Sequence, residues 1–317
     1  SKNAVFTGKE LNNGGLWDVT PTIKKGTEAF DAAGNAVGTE EQWYLTKIEK
    51  TVNDDTEVLL DGADNSYALW RNTNDTLRKR LGDLRYRTNE QDGDGLWARY
   101  VGGKFGSGSF DGNYNLFQLG YDKADNEKST YGFAIDRGTG KAGYSSGSSK
   151  DKLLSGSLYG TWYGEKGNYT DVVARIGQFS TDIKSYGEYA DKADYKAHAY
   201  SLSVEYGKTI KVNRERGTFI EPQVQFTAGR LGSARYTTDR GTEVYAGGMN
   251  SFIGRVGLAA GQKTKDGRSD FYIKGSLLHE FGGERDITMQ AANGETLATS
   301  KDYGDTWFEL GLGTNIK

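Results

Sequence analysis

The stretch AHAYSLSVEYG, residues 197–207, decides how this chain reads. It puts His198, Tyr200, Leu202, Val204 and Tyr206 on one side of an extended backbone. Ala199, Ser201, Ser203, Glu205 and Gly207 fall on the other. Successive side chains of a strand point to opposite faces, so one face is apolar and aromatic and the other small and polar.

The same alternation recurs along the chain. Thr170, Val172, Ala174 and Ile176 oppose Asp171, Arg175 and Gly177. In FIEPQVQFTA (219–228), Ile220, Pro222, Val224, Phe226 and Ala228 oppose Glu221, Gln223, Gln225 and Thr227. In WFELGLGTNI (307–316), Phe308, Leu310, Leu312 and Ile316 oppose Glu309, Gly311, Gly313 and Asn315. Ten such segments run at roughly 95–105, 113–122, 129–138, 152–164, 168–180, 196–208, 218–230, 250–263, 269–282 and 304–317. Their connections alternate in length: 165–167, 209–217 and 264–268 are short, whereas 139–151, 181–195, 231–249 and 283–303 are longer. Short turns at one end and long loops at the other predict a transmembrane antiparallel β-barrel, an all-β fold. A soluble sandwich has no reason to keep that alternation.

Composition agrees. The chain has 317 residues, with 20 Tyr, 13 Phe and 6 Trp at a mean hydropathy of −0.70. That combination suits strands showing lipid one face and water the other. No run of about 18 apolar residues is present, so no transmembrane helix is expected. There is no cysteine, which excludes disulfides and Cys-based metal sites and fits export in an unfolded state. The net charge of −3 points to no nucleic-acid partner. No metal site and no cofactor are expected. Residues 1–20 lack a charged segment followed by an apolar one, so Ser1 is expected to begin a fragment or a processed chain.

Charge assigns the faces. A charge at the lipid midplane costs about 2–4 kcal/mol for Arg or Lys. Arg99, Asp171, Arg175, Glu205, Glu221, Arg255, Lys274, Glu280 and Glu309 are therefore expected to face the lumen. Inner-face glycines, among them Gly177, Gly207 and Gly257, leave room for an object inside.

That object is expected from LWRNTNDTLRKRLGDLRYR (69–87). Leu77, Leu81 and Leu84 share one helical face. Arg71, Arg78, Lys79, Arg80 and Arg85 make the segment basic, with Asp83 as a counter-charge, and Gly82 permits close approach. Residues 51–68, rich in Asp, Asn and Thr, read as a linker ahead of this helix. If the turn at 165–167 is periplasmic, the first strand also starts on that side. A helix arriving from outside then has to travel through the barrel.

Residues 1–50 hold two clear β-like pieces, GLWDVTP (15–21) and QWYLTKIEK (42–50). They read either as a small hairpin unit or as the end cap of a longer β-stack. The expected division is thus 1–50 cap, 51–94 linker and pore helix, and 95–317 barrel.

Together RNTNDTLRKRLGDLR, GLWARYVGG, NLFQLGYD, GSLYGTWYG, FIEPQVQF and WFELGLGTNIK resemble the translocator domain of monomeric autotransporters (type V secretion). GLWDVTP and QWYLTKIEK resemble the C-terminal end of a pertactin-like passenger. The resemblance implies an outer-membrane protein that carries its own passenger to the cell surface. It implies a barrel of about twelve strands with the helix left in its pore. Outer-membrane lipid, barrel-insertion machinery and periplasmic chaperones are implied as partners. Ten strands are patterned here, so two more, or a partner, are expected to close the barrel. Family members that cleave their passenger inside the barrel often carry an Asn-Asn pair before the basic motif. Here Asp75 and Thr76 match it, with Asn74 and Asp75 one residue away. Self-cleavage at Asn74 and Asp75 is the alternative to a helix that simply plugs the pore.

An outer-membrane protease or lipase needs a histidine beside a nucleophile and an acid, and His198 and His279 both fall on the outward face. GKFGSGSFDG (103–112) and DRGTGKAG (136–143) lack the Lys-Ser/Thr ending of a phosphate loop and read as turns. NDDTEVLLDGADN (53–65) lacks calcium-loop spacing. A porin-like channel shares the barrel but has no reason to carry the helix. An adhesin membrane anchor shares both and differs only in its passenger.

Overall fold

The structure, a computed structural model, describes residues 5–74, 95–107, 110–126, 128–213, 215–264 and 269–316. The chain opens with β1 (Leu11–Asn12), β2 (Trp17–Lys25) and β3 (Trp43–Val52), which form an antiparallel sheet of their own. The helix α1 (Asp54–Asn74) follows at once. Then come β4 (Gly95–Ser107), β5 (Phe110–Asn126), β6 (Ser129–Tyr144), β7 (Gly147–Tyr163), β8 (Asn168–Ser185) and β9 (Lys192–Lys208). Next are β10 (Ile210–Asn213), β11 (Thr218–Leu231), β12 (Ala234–Thr237), β13 (Glu243–Ala246) and β14 (Met249–Lys263). The remainder is β15 (Ser269–Glu280), β16 (Glu284–Gln290), β17 (Thr296–Asp302) and β18 (Thr306–Ile316).

The main sheet is antiparallel with order β18-β15-β14-β11-β9-β8-β7-β6-β5-β4, and β10 adds to β11. Each long strand pairs antiparallel with the next long strand in sequence, whether the connection is a tight turn or a long loop. The ten patterned segments correspond to its ten long strands. β12, β13, β16 and β17 lie within the two long connections and pair as a separate four-stranded sheet.

The sheet is curled. Ten flat strands at about 4.8 Å spacing would separate the edges by some 40 Å, but α1 touches both. It contacts β4, and its Arg71 guanidinium lies 4.7 Å from the Trp307 ring of β18. Burial follows the curl. β8 alternates buried Asp171, Val173, Arg175 and Phe179 with exposed Ala174, Ile176 and Gln178. The outer face exposes Leu154, Leu158, Ile176, Leu202, Val224 and Leu258. Among the described residues, no helix is long and apolar enough to cross a membrane.

Two expectations are corrected. Residues 51–68 are no linker, because α1 begins at Asp54. Asn53 caps it: its Oδ1 accepts the Thr56 N–H at 2.9 Å, and Asp54, Asp55 and Glu57 complement the positive end of the helix. The helix is enclosed on several sides, burying apolar Val58, Leu59, Leu69 and Trp70 along with polar Asp55, Asp64 and Asn65, so it shows no single apolar stripe and its polar composition looks like a loop. Arg71 is in its last turn. Arg78, Lys79, Arg80, Gly82, Asp83, Arg85 and Asp75 lie outside the described residues. Similarly, 139–151 is no long connection. β6 runs to Tyr144 and β7 starts at Gly147, so the turn is Ser145 and Ser146. DRGTGKAG lies inside β6; its glycines are accommodated in the strand, where a Cβ on Gly140 would already stand 3.4 Å from Leu69 of α1.

Candidate functional site

The site is the contact between α1 and the inner face of the sheet. The start of α1 lies at the end of the sheet bearing the β6–β7 turn and the β8–β9 connection. Ser146 Oγ donates to Asp54 at 3.1 Å. The Gly187 and Tyr189 N–H groups donate to the Asp55 carboxylate at 2.9 and 3.0 Å. The helix then runs inward, and its last residue, Asn74, accepts from Ser201 Oγ at 2.8 Å.

Steric fit comes from missing side chains. A Cβ on Gly62 of α1 would stand 2.5 Å from Ile183, one on Gly177 of β8 would stand 2.7 Å from the Trp70 ring, and one on Gly147 would stand 2.5 Å from Val58. Gly207 and Gly257 make room differently, for the sheet side chains Tyr169 and Arg255. Trp70 also meets Phe179 edge-on at 5.8 Å.

Polar contacts surround this packing. Arg175, fully buried, donates to Ser155 at 2.9 Å and to Thr73 of α1 at 3.3 Å, and pairs with Asp136 at 3.2 Å. Its guanidinium stacks 4.5 Å from the Trp70 ring. Asn65 donates to Ser149 at 3.0 Å and to the Asp151 carboxylate. Tyr67 donates to Glu280 at 2.5 Å. Two helix carbonyls take an extra donor each: Gly62 from Tyr195 at 2.9 Å, and Ala63 from Arg285. Lys301 of β17 pairs with Asp64 at 2.5 Å and Asp61 at 3.3 Å, and Tyr303 donates to Asp64. Burial depresses the Lys301 ammonium, but the Asp64 and Asp61 carboxylates outweigh it and hold its pKa above the ordinary value.

Of the inward residues expected from sequence, Arg175 and Glu280 touch the described part of α1. Asp171, Glu205, Glu221 and Arg255 are buried on the same face and bond to the sheet. Thr161 donates to Asp171 at 2.8 Å, and Tyr169 to Glu205 and Glu221 at 2.8 and 3.1 Å. Arg255 pairs with Glu205 at 2.7 Å. Arg99, Lys274 and Glu309 are half-buried, and cross-strand register sets them level with buried Gln118, Ala259 and Ser276. Sequence reasoning missed Asp136, Asp151, Tyr195, Arg285 and Lys301. Asp136 has the parity of the inward face and was legible; Asp151 and Tyr195 fell in stretches read as connections, and Arg285 and Lys301 lie in the loop sheet, where no strand period placed them.

His198 and His279 are exposed on the outer face, and His279 Nδ1 lies 2.6 Å from Thr306 Oγ1. Among the described residues, no group of His, Cys, Asp or Glu could hold a metal ion.

A curled antiparallel sheet, apolar outside and polar inside, with a helix held along its inner face, defines an outer-membrane β-barrel with a pore helix. The chain belongs to the autotransporter β-domain family: the Autotransporter beta-domain family model matches residues 93–317. It is 31% identical over 265 residues to the pertactin autotransporter of Bordetella parapertussis, covering 77% of this chain and 27% of that protein. It therefore spans about a quarter of the length of that curated relative. Two solved structures share the fold. The β-domain of the Bordetella autotransporter BrkA matches at TM-score 0.56 and 23% identity, over 70% of this chain and 96% of that one. The translocator domain of NalP from Neisseria meningitidis matches at TM-score 0.56 and 12% identity, over 80% and 98%.

Proposed function

We propose that this chain is the outer-membrane translocator through which its own N-terminal passenger reaches the cell surface, and that α1 closes the pore after transit. The carrying observation is the path of the chain. α1 enters at the loop end and reaches Ser201 of β9 with Asn74. β4 then starts at Gly95, the end of that strand remote from the β4–β5 turn. A chain going in at one end and resuming at the other runs through the lumen. Residues 5–53 stand at the loop end, where the Leu16 N–H donates to Glu295 at 2.7 Å and Trp17 Nε1 to the Thr296 carbonyl at 3.3 Å. In this reading that end is extracellular, residues 1–50 are the surface-exposed end of the passenger, and 95–317 are the barrel.

Export is passive, because the outer membrane offers no nucleotide; folding of the passenger outside draws the chain through. Arg99, Asp171, Arg175, Glu205, Glu221, Arg255, Lys274, Glu280 and Glu309 keep the lumen hydrated during passage. In this reading the basic residues Arg78, Lys79, Arg80 and Arg85, with Gly82 and Asp83, which lie outside the described residues, contribute to plugging the pore. Insertion machinery and periplasmic chaperones act during assembly. The barrel performs no catalysis on other molecules. Severing beside Asn74 and Asp75 would leave α1 attached to the passenger, and the mass of the barrel extracted from membranes reads this directly.

Absence of cysteine makes the test clean. A single Ala33→Cys variant, expressed in intact cells, is expected to react with a membrane-impermeant maleimide. Labelling only after the outer membrane is breached would refute the orientation. Deleting 54–74 is expected to raise single-channel conductance sharply; an already open pore with α1 present would favour the porin reading.

A further inference from the structure

The outer face carries a feature that translocation does not use. Arg137 of β6, Lys152 of β7 and Lys196 of β9 are exposed. Lys152 and Lys196 flank Ser180 in the cross-strand register, and Arg137 is opposite Leu154, two residues along from Lys152. Lys141 and Lys150 face each other one pair further out, level with Asp182 and Asp194. The inward cations Arg175 and Arg255 pair with carboxylates. None of these five outward cations has a carboxylate within 4.0 Å among the described residues. Five unneutralised cations against two carboxylates leave a positive patch.

Immediately toward the membrane side is a groove of about 380 Å³ lined by Ile135, Leu154, Gly156, Ile176, His198 and Tyr200. Gly156 forms its floor: a Cβ there would meet only the Ala134 carbonyl oxygen, at 4.0 Å. Ile135, Leu154, Ile176 and Tyr200 are each more than half exposed, so the groove is apolar and open outward. A cluster of cations directly above an acyl-width groove matches a phosphorylated lipid. Arg and Lys bind phosphate oxygens through charge-assisted hydrogen bonds, and their stems lie along apolar surface while the charge reaches the headgroup level. The three nearer cations span about 15 Å across four strands at ~4.8 Å each, which suits a headgroup with more than one phosphate.

We infer that the outer face of β6–β9 binds a phosphorylated glycolipid of the outer leaflet, with phosphates on Arg137, Lys152 and Lys196 and one acyl chain in the groove over Gly156. The assignment rests on the orientation proposed above, which places this patch at the extracellular boundary.

The intact barrel, extracted in detergent, is titrated with lipopolysaccharide, phosphatidylglycerol and inorganic phosphate, and bound species are counted by native mass spectrometry. Lipopolysaccharide is expected to bind at one saturable site and the other two weakly. Joint substitution R137A, K152A and K196A is expected to weaken binding by at least about tenfold. Gly156→Phe fills the groove and is expected to weaken lipopolysaccharide binding while sparing phosphate. Lys208→Ala, at the far end of β9, is expected to change nothing. Unaltered binding in both the triple variant and Gly156→Phe overturns the proposal, as does equal loss in Lys208→Ala. Heat-modifiable gel mobility reports a folded barrel, and maleimide labelling at residue 33 reports orientation. Lost binding with orientation intact thus speaks for the lipid site, and lost labelling speaks against the translocator reading.

Discussion

The Arg175 guanidinium of β8 stacks 4.5 Å from the Trp70 ring of α1 while pairing with Asp136 at 3.2 Å. One buried cation thus ties the helix to two strands. A desolvated cation–π contact is worth about 2 kcal/mol, and a buried carboxylate left alone costs about 3–5 kcal/mol. Arg175→Ala is expected to loosen the C-terminal half of α1, seen as more frequent open excursions in planar bilayers. Asp136→Asn added to it removes the stranded charge and is expected to restore barrel stability but not closure. Conductance traces identical to the parent protein would refute the role of the contact.

Gly177 faces the same indole. A Cβ there would stand 2.7 Å from Trp70, so Gly177→Val overpacks the seat at a cost of about 1–3 kcal/mol. The helix is expected to be displaced, with raised conductance and new protease cuts in α1. Trp70→Ala in the same chain gives the added methyls room. A double-mutant cycle is expected to show coupling, and simple additivity would separate the two residues.

Lys301 makes closure pH-dependent in a definite sense. Its folded-state pKa is raised, so its stabilisation is fully present below the ordinary lysine value of ~10.4. It is lost as pH rises through the folded value. Fluorescence from a probe on α1 is expected to hold steady through neutral pH and change only in the alkaline range. Lys301→Met is expected to abolish that alkaline step, and a step that persists in the variant assigns it to another group.

Glu295 tethers the N-terminal sheet. It accepts from the Leu16 N–H at 2.7 Å and from Asn13 at 3.3 Å. Glu295→Ala removes a charge-assisted bond worth about 1.5–3 kcal/mol. Trypsin is expected to cut at Lys24, Lys25, Lys47 and Lys50 several times faster, with barrel mobility unaltered on gels. Equal digestion rates would place the tether elsewhere, at Trp17 or at Tyr189, which donates to the Asn12 carbonyl at 3.1 Å.

Much of this protein is legible in its residues alone. A strand's period of two is a local property, so AHAYSLSVEYG already separates Tyr200, Leu202 and Val204 from Ser201 and Glu205. The prohibitive cost of charge in lipid then sends Glu205, Arg175 and Arg255 inward. The ten strands follow from the period-two segments, and their order from antiparallel pairing of each with the next. What the residues could not reveal is tertiary. DDTEVLLDGADNSYALWRNTN has no single apolar face, because the curled sheet surrounds it and buries apolar Leu59 and Trp70 as well as polar Asn65 and Asp64; only that curled sheet gives Asn65, Tyr67 and Asp64 their bonding partners. The long connections hide a second sheet whose Arg285 and Lys301 reach the helix through contacts more than 200 residues apart in sequence. Local periodicity decided which face each strand shows; curling of the sheet decided what that face holds.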